Sequence, residues 1–173
     1  MPPPKKIVAL GPESTGKSAL CEQLATEYKT EWVPEYARQY LLKLGKPYEF
    51  DDLLLIAKGQ LELEDRIAAT LNRPLLFIDT DMYVMKVWCE FVFGKCHEFI
   101  LDQIVKRKYD NYLFCNTDLP WVADELREYP DTESRERLYH MYKDIMINQP
   151  VPWVDISGNY EERLRKAILF VDG

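Results

Sequence analysis

The sequence predicts a doubly wound α/β domain, with a mainly parallel five-stranded sheet and helices on both faces. Three observations predict it. Short apolar runs alternate with longer amphipathic stretches along the 173 residues, the order of successive strand–helix–strand units. The apolar runs are too continuous to alternate inside and out, which marks strands covered on both faces of a parallel sheet with right-handed crossovers. Residues 11–18 read Gly-Pro-Glu-Ser-Thr-Gly-Lys-Ser, a complete G-x-x-x-x-G-K-[ST] loop between a strand pattern and a helix pattern.

The elements follow in order. Met1 to Pro4 is expected to be a frayed start, because three prolines donate no backbone hydrogen bonds. Lys6 to Leu10 is the first strand and feeds the loop. Ala19, Leu20, Leu24 and Ala25 then recur at helical spacing as far as Tyr28. Glu31 to Pro34 is the second strand. Leu54, Ala57, Leu61, Ala68 and Leu71 share one helical face, interrupted by Glu64. Leu75 to Ile78 is the third strand, and helical patterns follow over Tyr83 to Val92 and Phe99 to Val105. Tyr112 to Cys115 and Trp153 to Ile156 complete the sheet. Leu164, Ala167, Ile168 and Val171 define the last helix. Thr117 to Ser134 is long and lacks clear periodicity. No repeat or linker divides the chain, so residues 1–173 read as a single domain with a lid over about 117–137.

Hydrophobic content of 47% and charged content of 29% are ordinary for a globular protein. A net charge of −7 argues against a nucleic-acid partner, which would call for a basic face. Lys106-Arg107-Lys108 reads as a solvated helix end. Cys21, Cys89 and Cys115 lie among apolar residues as small hydrophobes, and neither they nor Cys96 form a metal-binding spacing with His97 or His140. No signal-peptide pattern and no membrane-length apolar run is present, so a cytoplasmic location away from membranes is expected. Nothing in the pattern specifies an oligomeric state.

The loop carries the strongest chemical signal. Its glycines let successive N–H groups curl inward around polyphosphate oxygens, and the helix starting near Lys17 aims its positive end at the same anion. Lys17 can reach the β- and γ-phosphates, and the Ser18 hydroxyl can hold Mg²⁺. A nucleoside triphosphate ligand follows. A guanine-reading Asn-Lys-x-Asp loop is missing, since Asn116-Thr117-Asp118 lacks the lysine. Asp79-Thr80-Asp81-Met82 likewise lacks the Asp-x-x-Gly switch of GTPases. A compact chain with one loop and one irregular, arginine-bearing insert fits a small-molecule kinase with a lid.

Asp79 ends the apolar run Leu75-Leu76-Phe77-Ile78 and delivers a carboxylate where metal-holding acids sit, at the carboxyl edge of the sheet. Glu35 also ends a strand and faces that crevice, where an acid can orient or deprotonate an acceptor hydroxyl. Arg38, three residues on, can pair with Glu35 or with a substrate oxygen. Arg127, Arg135 and Arg137 on the lid segment are candidates to neutralise charge during phosphoryl transfer.

Read together, these residues resemble the ribosylnicotinamide kinase domain of NadR-type proteins. The matching stretches are Gly11 to Ser18, Glu35-Tyr36-Ala37-Arg38, Asp79-Thr80-Asp81, Lys86-Val87-Trp88, Trp121-Val122-Ala123-Asp124 with Leu126-Arg127, Ser157-Gly158, and Glu162-Arg163-Leu164. They occur in order from about Lys6 to Val171. The resemblance implies ATP-dependent phosphorylation of the ribose 5′-hydroxyl of nicotinamide riboside, giving nicotinamide mononucleotide. It implies that Gly11, Glu13, Ser14, Thr15, Gly16, Lys17 and Ser18 hold the ATP phosphates and Mg²⁺. Glu35, Tyr36, Arg38, Asp81 and Trp88 would lie at the riboside. Asp79 would serve the metal or the 5′-hydroxyl, and Arg127 would act from the lid. Ser157 to Arg163 would lie beside adenine. A cationic nicotinamide ring calls for aromatic faces and carboxylates, with Trp88, Tyr36, Tyr83 and Phe91 as candidates. Two positions depart from the family pattern: Glu125 stands where a glycine is expected before Leu-Arg, and Lys58 replaces an arginine. The match covers the kinase domain alone, so a mononucleotide is the expected product and not NAD. Two other readings fit the same residues: a kinase of another nucleoside or small hydroxylated metabolite, and a module that senses ATP without substrate chemistry.

Overall fold

A computed structural model describes residues 2–173; Met1, expected to open a frayed start, lies outside them. Five parallel strands form one sheet in the order β2-β3-β1-β4-β5. They are β1 (Lys5–Leu10), β2 (Trp32–Val33), β3 (Leu75–Asp79), β4 (Asn111–Cys115) and β5 (Trp153–Ile156). The predicted strands are all present, with no end shifted by more than one residue. The helices are α1 (Lys17–Glu27), α2 (Tyr36–Leu44), α3 (Phe50–Thr70), α4 (Met82–Phe93), α5 (Glu98–Lys106), α6 (Thr132–Asn148) and α7 (Tyr160–Asp172).

The strand side chains explain the two-sided burial. Ile7, Ala9, Phe77 and Leu113 face one core with Leu24 of α1 and Ala167 of α7. Val8, Leu10, Ile78 and Phe114 face the other, with Val87 of α4 and Leu138 and Tyr142 of α6. Alternate residues of the central strands therefore enter opposite cores, which keeps their middles apolar and leaves polar residues such as Lys6, Asp79 and Asn111 to the strand ends. A third apolar cluster joins α2, α3, α4 and α5. The order of connection reverses around central β1, whose C-terminal loop opens into the crevice at that switch point.

Glu64, the apparent flaw in the apolar face of α3, is fully buried and compensated. It accepts from Lys6 Nζ at 2.9 Å, Tyr109 Oη at 2.9 Å and Arg107 at 3.3 Å. Arg107 also forks onto the Asp65 carboxylate at 2.9 and 2.8 Å. The expected solvated end at Lys106-Arg107-Lys108 is therefore corrected at its centre, because a buried carboxylate needs that guanidinium.

Two further corrections concern helices. α6 begins at Thr132, so the last part of the expected lid, up to residue 137, is helical. Its buried stripe is narrow, essentially Leu138, Tyr142 and Met146 at four-residue spacing in a charged stretch, with Arg135 at the start. α2, of which the sequence shows only the spacing between Glu35 and Arg38, extends over nine residues. Among the described residues no helix is long and apolar enough to cross a membrane.

Candidate active site

The phosphate loop is shaped by its glycines. Gly11 has φ 140°, and a Cβ there would come within 2.6 Å of the Cys115 carbonyl oxygen, so β4 excludes any side chain. Gly16, at φ 79°, turns the chain into α1. Ser14 also lies in the left-handed region, at φ 58°. Thr15 is buried and ties the loop internally, its hydroxyl donating to the Pro12 carbonyl at 2.7 Å. Lys17 Nζ donates to the carbonyls of Gly11 and Pro12 at 3.0 and 2.9 Å. These are partly buried contacts to carbonyls at the cavity, which phosphate oxygens can replace.

Ser18 Oγ donates to the Asp79 carboxylate. Asp79 is fully buried at the end of β3. Burial pushes its carboxyl above the ordinary value, opposed by Lys17 and by the Ser18 and Thr80 hydroxyls. A buried carboxylate beside a serine hydroxyl at the phosphate loop offers hard oxygen donors to a cation. Thr80 follows at φ 85°, a strained conformation for a β-branched residue, and the chain turns sharply into α4 there.

A cavity of about 610 Å³ runs from this loop across the carboxyl edge of the sheet. Gly11, Glu13, Ser14, Gly16, Lys17 and Ser18 form one end, and Trp32, Glu35, Trp88, Phe91 and Tyr142 the other. Glu35 is the N-cap residue of α2, yet its side chain makes no capping bond. Burial, reinforced by the Asp79 charge, raises its carboxyl, with Lys17 opposing. A carboxylate in that state accepts a hydroxyl proton more readily than an ordinary glutamate.

The lid closes over the loop through specific bonds. Val122 N–H donates to Ser14 Oγ at 2.8 Å, and Glu128 N–H donates to Glu13 Oε2 at 3.1 Å. Arg127 lines the cavity and donates to the Val122 carbonyl at 2.6 Å and toward Ser14 Oγ at 3.5 Å. Arg135 is instead buried as a brace, donating to the carbonyls of Glu13, Thr117 and Leu119. Arg137 lies over the Phe91 ring at 5.1 Å.

Several expected site residues are elsewhere. Tyr36 packs on α3, so close that a Cβ on Gly59 would lie 2.1 Å from its ring. It does not face the cavity. The isolated glycine in Lys58-Gly59-Gln60 was the available signal, since a helix-interior glycine often marks close packing. Lys58 itself reaches over Phe99 at 5.3 Å. Asp81 is buried and caps α4, accepting from the N–H groups of Tyr83 and Val84 at 3.0 and 3.3 Å. Both bonds fall on Oδ1 of a side chain that is buried and does not line the cavity, so Asp81 is placed as a cap rather than at an acceptor. Arg38 does line the cavity, but it pairs with Asp124 of the lid at 3.0 Å rather than with Glu35. Arg163 is also structural. It is buried and donates to the carbonyls of Gly158, Thr15 and Asn116 at 2.7, 2.8 and 2.9 Å and to Asp118. Ser157 Oγ accepts from Lys166, and Tyr160 lines the cavity in that region instead. Of the four candidate aromatics, Trp88 and Phe91 line the cavity, while Tyr83 packs against Tyr112 at 5.8 Å. Sequence reasoning missed Tyr129, Leu138 and Tyr142 as walls, because α6 and the lid carried no readable period.

Comparison with known proteins agrees with this architecture. A family model described as an AAA domain matches residues 6–163. The trifunctional NAD biosynthesis/regulator protein NadR of Salmonella typhimurium and that of Escherichia coli are each 27% identical over 172 residues. The match takes in 96% of this chain, which spans 42% of the length of those relatives. Among solved structures, NadR in complex with NR superposes with a TM-score of 0.77 at 22% identity, over 97% of this chain and 48% of that one. Thymidylate kinase from Candida albicans superposes with a TM-score of 0.69 at 18% identity, over 98% and 91%.

Proposed function

The chain belongs to the AAA domain family, and within it we propose an ATP-dependent nucleoside kinase that phosphorylates the ribose 5′-hydroxyl of nicotinamide riboside to give nicotinamide mononucleotide. One observation carries the reading. The phosphate loop with Lys17 and Ser18 shares a single cavity with the Glu35 carboxylate and an aromatic wall, under a lid bearing Arg127. A module that only senses ATP has no need of an acceptor chamber with a carboxylate of raised pKa facing the phosphates. The similarity to NadR, a protein solved with NR and with NAD and AMP-PNP, supports the choice of riboside.

Each residue then has a role. Loop N–H groups and Lys17 bind the triphosphate, Lys17 exchanging its two carbonyl partners for phosphate oxygens. Glu35 accepts the hydrogen bond of the 5′-hydroxyl and aligns that oxygen with the γ-phosphorus. Transfer is largely dissociative, so this alignment matters more than full deprotonation. Arg127 supplies positive charge from the lid and, with Val122 and Leu126, excludes water. Ser18 and Asp79 are hard oxygen donors already in contact, a pair that suits Mg²⁺. When bound, the ion would neutralise phosphate charge. Trp88, Phe91 and Tyr129, with the carboxylates of Glu13, Asp124 and Glu128 nearby, suit a flat cationic ring.

A panel of nucleosides read by ADP release tests the proposal. Nicotinamide riboside should give the highest kcat/KM, ahead of neutral nucleosides. A faster neutral nucleoside would leave a kinase but overturn the acceptor. Turnover indifferent to every nucleoside would overturn the kinase reading.

A further inference from the structure

A hydrogen-bonded chain links the aromatic wall to the phosphate loop through a residue outside the cavity. Trp88 Nε1–H of α4 donates to Tyr48 Oη at 3.0 Å. The Tyr48 hydroxyl donates to Glu128 Oε2 of the lid at 2.7 Å. The Glu128 backbone N–H donates to Glu13 Oε2 of the loop at 3.1 Å. The Tyr48 hydroxyl accepts and donates at one oxygen, so its two bonds polarise one another. Glu128 carries the connection mechanically from its side chain to its backbone N–H.

Tyr48 lies in the connection between α2 and α3. Its ring packs edge-on against Trp88 and Phe93, with centroids 5.2 and 6.1 Å apart. Ring and hydroxyl therefore do separable work: the ring fills space between α3 and α4, and only the hydroxyl reaches the lid. That hydroxyl accepts from one side of the acceptor chamber and donates to the element that covers both ligands. An open lid removes Glu128 and leaves the Tyr48 hydroxyl, on which the Trp88 indole is held, without its acceptor. The Arg38–Asp124 pair is a separate latch on the same lid, so closure itself does not depend on Tyr48.

We infer that Tyr48 is a positioning residue whose hydroxyl couples occupancy of the acceptor chamber to closure of the lid over the phosphate loop. A nucleotide that draws Glu13 and the lid together fixes Trp88, and a ring stacked on Trp88 favours the closed lid in return, as reciprocal coupling requires. This deepens the kinase reading and rests on it for the identity of the acceptor. Intermediacy in space does not establish coupling, so the test measures coupling itself.

Calorimetric titration of nicotinamide riboside, alone and with saturating AMP-PNP, is compared for the wild type and Tyr48→Phe. The variant keeps the ring and removes the hydroxyl. The wild type should bind riboside about tenfold more tightly with AMP-PNP present, within the usual range of coupling between sites. In Tyr48→Phe that ratio should fall to about one, while each ligand alone binds within about threefold of wild type. An equal ratio in both proteins, or an unchanged ratio with both affinities lowered, overturns the inference and leaves Tyr48 a packing residue. If the wild type binds no riboside, the acceptor assignment fails separately, and hydrogen exchange with AMP-PNP alone decides about Tyr48. Nucleotide should then slow exchange in residues 82–93 of the wild type, and only in the loop and lid of Tyr48→Phe. Equal protection of 82–93 in both, or in neither, overturns it.

Discussion

Arg163 separates a ligand contact from a structural brace, and the structure allows the difference to be sized. Arg163→Met keeps much of the aliphatic length and removes the guanidinium. The Thr15 carbonyl, in a buried residue of the phosphate loop, loses its donor at 2.8 Å. An acceptor stranded in that way costs ~1–3 kcal/mol, the upper half applying to a bond with a charged donor. The Gly158 and Asn116 carbonyls, bonded at 2.7 and 2.9 Å, are only partly buried. Water can reach them, so ~1 kcal/mol each is appropriate. The Asp118 side chain is 41% exposed, and its pairing is discounted to well under ~1 kcal/mol for screening. The loss comes to about 4 kcal/mol, which in a domain of this size lowers Tm by roughly 10 °C. The assay is thermal unfolding of the ligand-free protein, with and without ATP. A brace predicts the fall in both conditions, with ATP binding weakened because the Thr15 segment is loosened. An unchanged Tm in the ligand-free protein, with weaker ATP binding alone, would refute this reasoning and return Arg163 to the adenine site.

Glu35→Gln should lower riboside phosphorylation by ~10²–10⁴-fold with ATP affinity nearly constant, the range of a lost general base. Burial and the Asp79 charge raise the Glu35 carboxyl, and its charged form is the active one. Activity should therefore fall as pH drops through a value above the ordinary glutamate range, and a pH–rate profile of Glu35→Gln should lack that limb. Asp79→Asn should reduce the Mg²⁺ response of the rate far more than ATP binding, measured by titrating Mg²⁺ at fixed ATP; an unchanged response would exclude Asp79 from the metal. Arg127→Ala should lower kcat by ~10²-fold or more with a smaller change in KM, since its contact strengthens in the transition state. Equal weakening of ground-state ATP binding would make it a static clamp.

The sheet was legible because both cores demand apolar side chains through the middle of the central strands, as in Ile7 to Leu10 and Leu76 to Ile78. The loop was legible because Gly11 answers a steric requirement that a side chain would break and Gly16 sits at a positive φ that glycine adopts most readily. What failed to show had physical reasons. α6 rests on a one-residue-wide stripe, which a charged surface hides. Asp81 and Arg163 sit in motifs beside the cavity but spend their polar groups on a helix cap and on bracing of the loop, and the Tyr36 ring packs on α3 at Gly59. Adjacency in sequence to a functional residue did not decide which way a side chain points. Tyr48 and Glu128 are 80 residues apart, and only tertiary contact joins them.

The central claim is that this cavity transfers phosphate from ATP to a nucleoside hydroxyl. ADP release by the wild type, with and without nicotinamide riboside, tests it most directly. The account predicts slow release from ATP alone, strong stimulation by the riboside, and one mononucleotide formed for each ADP. Release that is unaffected by the riboside, with no phosphorylated product, would contradict it.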